Sequence, residues 1–199
     1  LPNTVTDAQA KKAIQAQLAN REENFLKILK TNVFDYPRSP YLPLLRAAQL
    51  THTDVEKMVT QRGLENTLQE LFDAGVYITF EEFKGRAPIK RGDVTLRPAY
   101  GDFDSLNLTP ILLGQSGGST GPPTHTKLDL DYVAQAGESY ALNFSIHNLN
   151  DVPMITWWGV LPDYIGIATL LRQARMGKTV YRWFSTLRRN DANMGWYYT

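Results

Sequence analysis

The chain has 199 residues, of which 43% are hydrophobic and 21% are charged, and its net charge is +1. This composition suits one globular domain or slightly more, and it gives no strong attraction to nucleic acid or to a membrane surface. The absence of cysteine excludes disulfides, thiol nucleophiles and cysteine-based zinc sites. No signal-peptide pattern and no apolar run of about 18 residues occur, so we expect a cytoplasmic protein without membrane or nucleic-acid partners.

The first 98 residues predict a mainly helical N-terminal region. Apolar side chains recur at near-helical spacing over residues 7–29, with Thr6 or Asp7 as the N-cap. Prolines between residues 37 and 43 interrupt the pattern, and residues 44–50 then favour a short helix.

Two further helices and a strand are predicted within this region. The run from Thr51 to Asp54 is typical of a helix start, and residues 64–74 carry leucines at helical spacing until Gly75 stops the helix. Residues 76–80 are rich in β-branched and aromatic side chains, which predicts a strand.

Residues 99–199 predict an α/β subdomain, because strand-like and helix-like segments alternate along them. We expect Trp157 and Trp158 to fill the core beneath its middle strand. The predicted elements are a strand at 109–113, a helix at 128–144, a strand at 152–160, a helix that follows a turn at 161–166 and ends near 176, and a strand from 179 to 181.

The segment from Gln115 to Thr124 is the most informative part of the sequence. Three glycines lie within five residues of it, among serine and threonine side chains. Glycine allows the backbone to approach a ligand closely, and successive N–H groups can form a concave nest for an anion. Hydroxyl groups add further donors, so this composition is typical of a loop that holds a polyphosphate.

Three other interpretations of this loop compete. It can be a flexible surface connection, since loops of this composition are common. A Walker-type loop needs Gly-x-x-x-x-Gly-Lys-Ser/Thr, and Lys127 follows Thr126 without the required glycine. The run from Gly114 to Gly118 does match Gly-x-Ser-x-Gly with Ser116 as nucleophile, but a nucleophile elbow must lead directly into a helix, and this segment is a poor helix start.

The run Ser-Gly-Gly-Ser-Thr-Gly-Pro-Pro-Thr at 116–124 resembles the signature of the adenylate-forming superfamily, which includes acyl-CoA synthetases and adenylation domains. Eight of the nine positions agree. The ninth, Thr124, stands where most members have Lys or Arg, and threonine there is similar to the phenylacetate–CoA ligase branch.

The flanks of the loop also resemble this family. Members have a short strand before the loop and a helix after it, then a strand that ends in Leu-Pro, a nearby glycine and a further helix. Here Leu161-Pro162 precedes Gly166, and Tyr164 stands where many members have an aromatic residue or histidine. The resemblance extends over about residues 40–181 and implies a helical N-terminal lead-in, followed by an incomplete layered α/β subdomain of the adenylate-forming fold.

The resemblance implies ATP-dependent activation of a carboxylic acid. The acid would form an acyl-adenylate with Mg²⁺ assisting, and the thiol of coenzyme A would then capture the acyl group. The loop would bind the β- and γ-phosphates of ATP. Its binding residues would be the hydroxyls of Ser116, Ser119 and Thr120, the backbone N–H groups of Gly117, Gly118 and Gly121, and Thr124.

The family is longer than one ordinary domain, and its adenine-binding, Mg²⁺-binding and catalytic lysine residues lie further along the chain. We therefore expect an N-terminal fragment that is inactive alone and meets the remainder of its own chain, with no catalytic residue or metal ligand assigned here. The alternative is a non-catalytic α/β module that binds an anion or nucleotide. Three scattered histidines have no metal-ligand spacing, although His125 adjoins the loop and is a candidate for a phosphate contact.

Overall fold

The protein's structure is a computed structural model that describes residues 4–115, 125–159 and 163–185. It confirms a mixed α/β chain with small two-stranded sheets. The chain divides into two compact units. We call Ala19–Asn107 the helical unit, and the described residues of Leu1–Leu18 and Leu108–Thr199 the mixed unit. Within the described ranges, no helix is both long enough and apolar enough to cross a membrane.

Helices dominate the described chain, and each β-sheet in it is a pair of strands. The helices are α1 (Asp7–Ala19), α2 (Arg21–Leu29), a π-helix (Lys30–Phe34), α3 (Tyr41–Ala47), α4 (His52–Asp73), α5 (Phe80–Phe83), a 3₁₀ helix (Tyr100–Phe103), α6 (Leu130–Ile146) and α7 (Tyr164–Arg175). The strands are β1 (Ile89–Arg91), β2 (Val94–Leu96), β3 (Pro110–Gln115), β4 (His125–Asp129), β5 (Met154–Trp157) and β6 (Val180–Phe184).

Local capping signals fix the ends of α4. The Thr51 hydroxyl accepts a hydrogen bond from the Asp54 N–H, and the Asp54 side chain accepts one from the Thr51 N–H, which is a capping box. Gly63 has a φ of 78° and breaks α4 into two segments, as the two predicted helices require. Gly75 follows the end of the helix with a φ of 84°, so the predicted stop is confirmed.

The helix predicted over residues 7–29 is two helices in the structure, because Asn20 interrupts it between α1 and α2. Thr6 is confirmed as the N-cap of α1, since its hydroxyl accepts from the Gln9 N–H. The short helix predicted from residue 44 begins at Tyr41 instead. Pro43 is tolerated there because the first turn of a helix leaves its backbone N–H groups unpaired.

The strand predicted at residues 76–80 is wrong. Thr79 and Glu82 form a capping box, so the chain turns into α5 at Phe80 instead of continuing as a strand. The strands that do form here, β1 and β2, pair antiparallel around a turn at Gly92, a hairpin that the sequence interpretation did not include.

The helical unit has its own hydrophobic core. α2, the π-helix, α3 and α4 meet around it, and Phe25, Leu50 and Val76 pack against its edge. Because each helix contributes an apolar stripe, the core forms without help from the short β-hairpin. Its buried members are Leu29, Val33, Leu42, Leu45, Val55, Val59 and Leu71.

The mixed unit combines an antiparallel hairpin, β3–β4, with a parallel pair, β5–β6, whose connection contains α7. Strand β3, strand β5, α7 and β6 were each predicted and are confirmed, whereas β4 occupies the start of the segment predicted as a helix from residue 128. Helix α6 therefore begins only at Leu130.

Helix α1 belongs mainly to the mixed unit, although its sequence lies in the predicted helical lead-in. The Val5 N–H donates to the Arg175 carbonyl at 2.9 Å, and the Ser145 hydroxyl donates to Asp7 at 2.6 Å. Ala10 is fully buried. These contacts tie the first helix to α6 and α7 across more than a hundred residues of sequence.

Candidate functional site

The residues predicted to bind phosphate are Ser116, Gly117, Gly118, Ser119, Thr120, Gly121 and Thr124, and all of them lie outside the described residues. The structure does describe both flanks of this loop. Strand β3 ends at Gln115 and β4 begins at His125, and the two strands pair antiparallel. The loop is therefore the connection of a β-hairpin. The helix expected after the loop is present as α6, but β4, which was not predicted, lies between the loop and that helix.

The hairpin holds the two ends of the loop close together. Gln115 and His125 are paired across the strands, and the register continues through Gly114 with Thr126 and Leu113 with Lys127. Directly opposed residues of an antiparallel ladder have Cα atoms about 5 Å apart. The two described residues on either side of the segment 116–124 therefore lie close together.

One face of the hairpin is packed and the other is open. On the packed face, Leu128 is buried beside Leu112 and joins Val133 and Ala168 in the core of the mixed unit. On the opposite face, Leu113 is exposed to solvent. The packed face anchors the hairpin to α6 and α7, so the base of the loop rests on a folded scaffold rather than on mobile chain.

Tyr164 packs directly against the base of the loop. A Cβ atom placed on Gly114 would lie 2.3 Å from two carbons of the Tyr164 ring, which is closer than any real contact. Glycine at this position is therefore required for the close approach of α7 to β3. The structure brings together two residues that are fifty positions apart, and the sequence alone did not connect them.

Asp129 joins three pieces of backbone beside this hairpin. Its carboxylate accepts hydrogen bonds from the N–H groups of Thr109 at 2.9 Å, Asp131 at 2.7 Å and Tyr132 at 3.2 Å. These hydrogen bonds hold the pKa of Asp129 below its usual range, and the bond from Thr109 has the largest effect. One side chain thus caps α6 and fixes the residue that precedes β3.

The N-terminus of α7 lies at the loop end of the hairpin, because its first residue, Tyr164, contacts Gly114. The Asp163 carboxylate caps this helix by accepting from the Gly166 N–H at 2.7 Å. Gly166 in turn lies against Trp183, whose indole N–H donates to the Gly159 carbonyl at 3.0 Å. Helix α7 is 12 residues long, and the positive end of its dipole lies at Tyr164, which contacts Gly114 near the end of β3.

The parallel pair β5–β6 is covered on one face only among the described residues. Thr156 on the inner face is buried, whereas Ile155 is 63% exposed and Trp157 is 69% exposed. Trp157 pairs with Phe184, which is 45% exposed. The expectation that Trp157 and Trp158 fill the core is wrong, because the strand directs Trp157 to the open face and Trp158 is also exposed.

Among the described residues, no group of three or more His, Cys, Asp or Glu side chains is placed to hold a metal ion. His125 lies at the start of β4 beside the loop and is exposed.

Comparisons of the chain with family models, with curated proteins and with solved structures gave no match. The resemblance to adenylate-forming enzymes therefore depends on the loop and its flanking sequence.

Proposed function

We propose that the chain is part of an adenylate-forming ligase of the phenylacetate–CoA ligase type, and that residues 116–124 bind the phosphates of ATP during activation of a carboxylic acid. The observation that carries this proposal is the hairpin of β3 and β4. Its strands pair at Gln115 and His125, so the two ends of the signature segment lie close together on a packed base, as the proposed site requires.

The chemistry of such a loop is electrostatic. Backbone N–H groups and the hydroxyls of Ser116, Ser119 and Thr120 would donate to phosphate oxygens and hold the triphosphate in line for attack by a carboxylate. Mg²⁺ bound with ATP would neutralise part of the charge on the same oxygens. None of these side chains transfers a proton, so the role of the loop is to position the triphosphate.

The scaffold at the loop base supports this role. The ring of Tyr164 against Gly114 places the first turn of α7 beside the loop, and the helix dipole there favours a negative ligand. The Asp163 carboxylate occupies one N–H group of that turn, so the backbone of the loop itself, and not the helix terminus, is the proposed phosphate site.

The open face of β5–β6 supports the proposal that this chain meets further layers of a larger enzyme. Parallel strands normally lie in sheets that are covered on both faces. Here Ile155, Trp157 and Phe184 form an exposed apolar surface that another layer would cover. We propose that the remainder of the same protein provides it, together with the adenine, coenzyme A and carboxylic acid sites of the complete ligase.

The binding step can be tested on the chain as it stands. Isothermal titration with tripolyphosphate and with Mg·ATP should show saturable binding to the wild-type chain. Replacing the three hydroxyls together (Ser116→Ala, Ser119→Ala and Thr120→Ala) should weaken that binding by about tenfold or more, because hydrogen bonds to charged oxygens are lost.

A matched control removes three exposed hydroxyls far from the loop in sequence, Thr53→Ala, Thr95→Ala and Ser139→Ala. This control should bind both polyphosphates as the wild type does. Absence of polyphosphate binding, or equal binding by the loop variant and the control, would contradict the proposed site.

The non-catalytic binding module differs from the ligase in one measurable respect. Both bind polyphosphate at the loop, but only a ligase exchanges labelled pyrophosphate into ATP when a carboxylic acid is present. We expect the 199-residue chain to show no exchange and a longer form with the downstream family motifs to show it across a panel of aromatic and aliphatic acids. A longer form that binds ATP without exchange favours the module.

A further inference from the structure

The helical unit contains a cavity of about 270 Å³ between α2, α3 and the second segment of α4. Its walls are apolar, and Leu29, Leu45 and Leu71 in them belong to the buried core. Two other wall residues, Ile28 and Leu68, are 56% and 46% exposed, so the cavity opens to solvent beside them. It is an accessible pocket in a unit that does not contain the phosphate loop.

The size of the cavity suits a small organic molecule. An apolar cavity of about 150 Å³ is enough for benzene, and such cavities hold water poorly. The larger volume here therefore accommodates a fused bicyclic ring or a branched chain of about ten carbon atoms. Small-molecule sites typically combine apolar walls with a few placed polar groups, whereas a peptide helix requires a long groove with several anchor positions.

Tyr41 supplies a polar group in this wall. Tyr41 is half-buried, and its hydroxyl is not among the buried atoms that lack a hydrogen-bond partner in the described chain, so this hydroxyl is accessible to a ligand. Burial raises the pKa of Tyr41, so the phenol remains neutral near pH 7 and can donate or accept a hydrogen bond.

A second cavity, of about 200 Å³, adjoins the first, because Ile28, Val33 and Tyr41 line both. Asn32 lines the second cavity, and its amide nitrogen donates to the Ser105 hydroxyl at 3.2 Å. The amide oxygen of Asn32 is buried and accepts no hydrogen bond from the described residues. An unpaired buried acceptor is destabilising, so hydrogen bonding at this polar end of the cavity is incomplete among the described residues.

The π-helix Lys30–Phe34 connects these features. It provides Val33 to both cavities and Asn32 to the second one. π-Helical turns are rare and are found frequently at functional sites, because the extra residue displaces side chains from their ordinary helical positions. The distortion thus coincides with the polar end of the combined cavity.

We propose that the helical unit binds a small, mainly apolar molecule, such as a bicyclic aromatic or branched aliphatic compound with one hydrogen-bond-donating group. Its apolar body fills the larger cavity, and its polar group reaches the Tyr41 hydroxyl. This site is separate from the loop at 116–124, and neither its occupancy nor its test depends on ATP.

The test uses the full chain with 1-naphthol and naphthalene as probes, and ligand-observed NMR titration measures their binding. Both probes should bind saturably to the wild type. Leu68→Trp places a larger side chain at the opening and should abolish saturable binding up to the solubility limit of each probe. Gln61→Trp, also on α4 but exposed and outside the cavity wall, should bind as the wild type does.

Tyr41→Phe tests the polar contact without changing the shape of the wall. It should weaken binding of 1-naphthol by about fivefold, the equivalent of one neutral hydrogen bond, and leave naphthalene binding unchanged. If Leu68→Trp does not fold by circular dichroism, Ile28→Trp closes the same opening from α2. The proposal is overturned if neither probe binds saturably to the wild type, or if the mouth variant and Gln61→Trp bind alike.

Discussion

At the scale of single residues, the pair Arg91 and Glu82 holds the edge of the helical unit together. The Arg91 guanidinium donates to both Glu82 carboxylate oxygens, at 2.7 and 2.9 Å, and to the Tyr77 carbonyl at 3.0 Å. Its carbon centre also lies 3.8 Å from the centroid of the Tyr77 ring. Glu82 is only 6% exposed, and it accepts the Thr79 N–H at 2.8 Å. This network fixes the short α5 and β1 to one another.

The hydrogen bonds from Arg91 lower the pKa of Glu82 from 4.5 to about 2, against the opposing effect of burial. Because the folded-state pKa is lowered, this stabilisation is present above pH 4.5 and is lost as the pH falls toward 2. We expect Glu82→Gln to reduce the free energy of unfolding at pH 7 by about 3 kcal/mol and to flatten its decline between pH 5 and 2.

Urea unfolding at a series of pH values measures this effect. The exposed Glu56→Gln is the matched control and should retain the slope of the wild type. A wild-type stability that does not decline faster than that of Glu82→Gln below pH 4.5 would show that the ion pair is not stabilising.

The contact between Gly114 and Tyr164 is a second residue-scale feature, and it lies at the proposed phosphate site. We expect Gly114→Ala to destabilise the fold by about 1–3 kcal/mol, because the new methyl group collides with the ring. In the background of Tyr164→Ala the same change should cost much less. Gly101→Ala is the control, since the nearest atom to its added Cβ is 3.7 Å away.

Chemical denaturation of the wild type, the two single variants and the double variant gives the coupling free energy between positions 114 and 164. A large coupling would establish the contact in solution. Equal costs of Gly114→Ala with and without the tyrosine ring would place the ring elsewhere.

At the scale of secondary-structure elements, the mixed unit depends on one capping carboxylate. Asp129 ends β4, caps α6 and accepts the Thr109 N–H that precedes β3. The hairpin and the helix therefore share one anchor, and its loss affects both. The hairpin alone would be marginal, since an isolated pair of strands seldom holds its register without packing.

We expect Asp129→Ala to speed hydrogen exchange of the β3–β4 amides and of the first turn of α6, because three N–H groups lose their acceptor. Asp131→Ala is the matched control, since Asp131 is exposed and its side chain caps no N–H group among those described. Unchanged protection of the hairpin in Asp129→Ala, measured by hydrogen–deuterium exchange, would contradict the anchoring role.

At the scale of the whole molecule, the chain consists of two units with separate cores. The helical unit packs seven buried apolar residues among four helical segments. The mixed unit leaves one face of β5–β6 open, with Ile155, Trp157 and Phe184 exposed. Contiguous exposed apolar surface is one of the features that occur at protein contact sites.

We expect this face to promote weak self-association of the 199-residue chain. The double variant Ile155→Thr and Trp157→Thr should lower the sedimentation coefficient measured at high protein concentration, with little change in unfolding free energy, because both side chains are exposed. Leu18→Thr removes an exposed apolar side chain that is not on this sheet and should change nothing. If both variants associate like the wild type, the open face is not a contact surface.

Much of the fold could be predicted from the sequence because its signals are local. Thr51 with Asp54 and Gly75 mark helix ends through local backbone geometry, and the structure has those ends where they were predicted. The alternation of strands and helices after residue 108 is equally local. The composition of the loop at 116–124 likewise identified the candidate site without any tertiary information.

The remainder was decided by partners that are distant in sequence or by competition between local signals. A short segment becomes a strand only when another strand lies beside it, and for this reason the sequence did not predict β4. At residues 76–80, the strand preference of the side chains was outweighed by the capping box that starts α5. The face on which Trp157 lies depends on which side of β5 is covered, and hydrophobicity alone does not specify this.

By itself, the sequence determined the mixed α/β class of the fold, the ends of some helices and the composition of the candidate loop, because backbone capping and glycine chemistry act over a few residues. Only the tertiary structure decided that this loop closes a hairpin, that Tyr164 lies at its base and that the helical unit contains a pocket. Those features arise from packing between segments far apart in the chain, and packing is a property of the folded molecule.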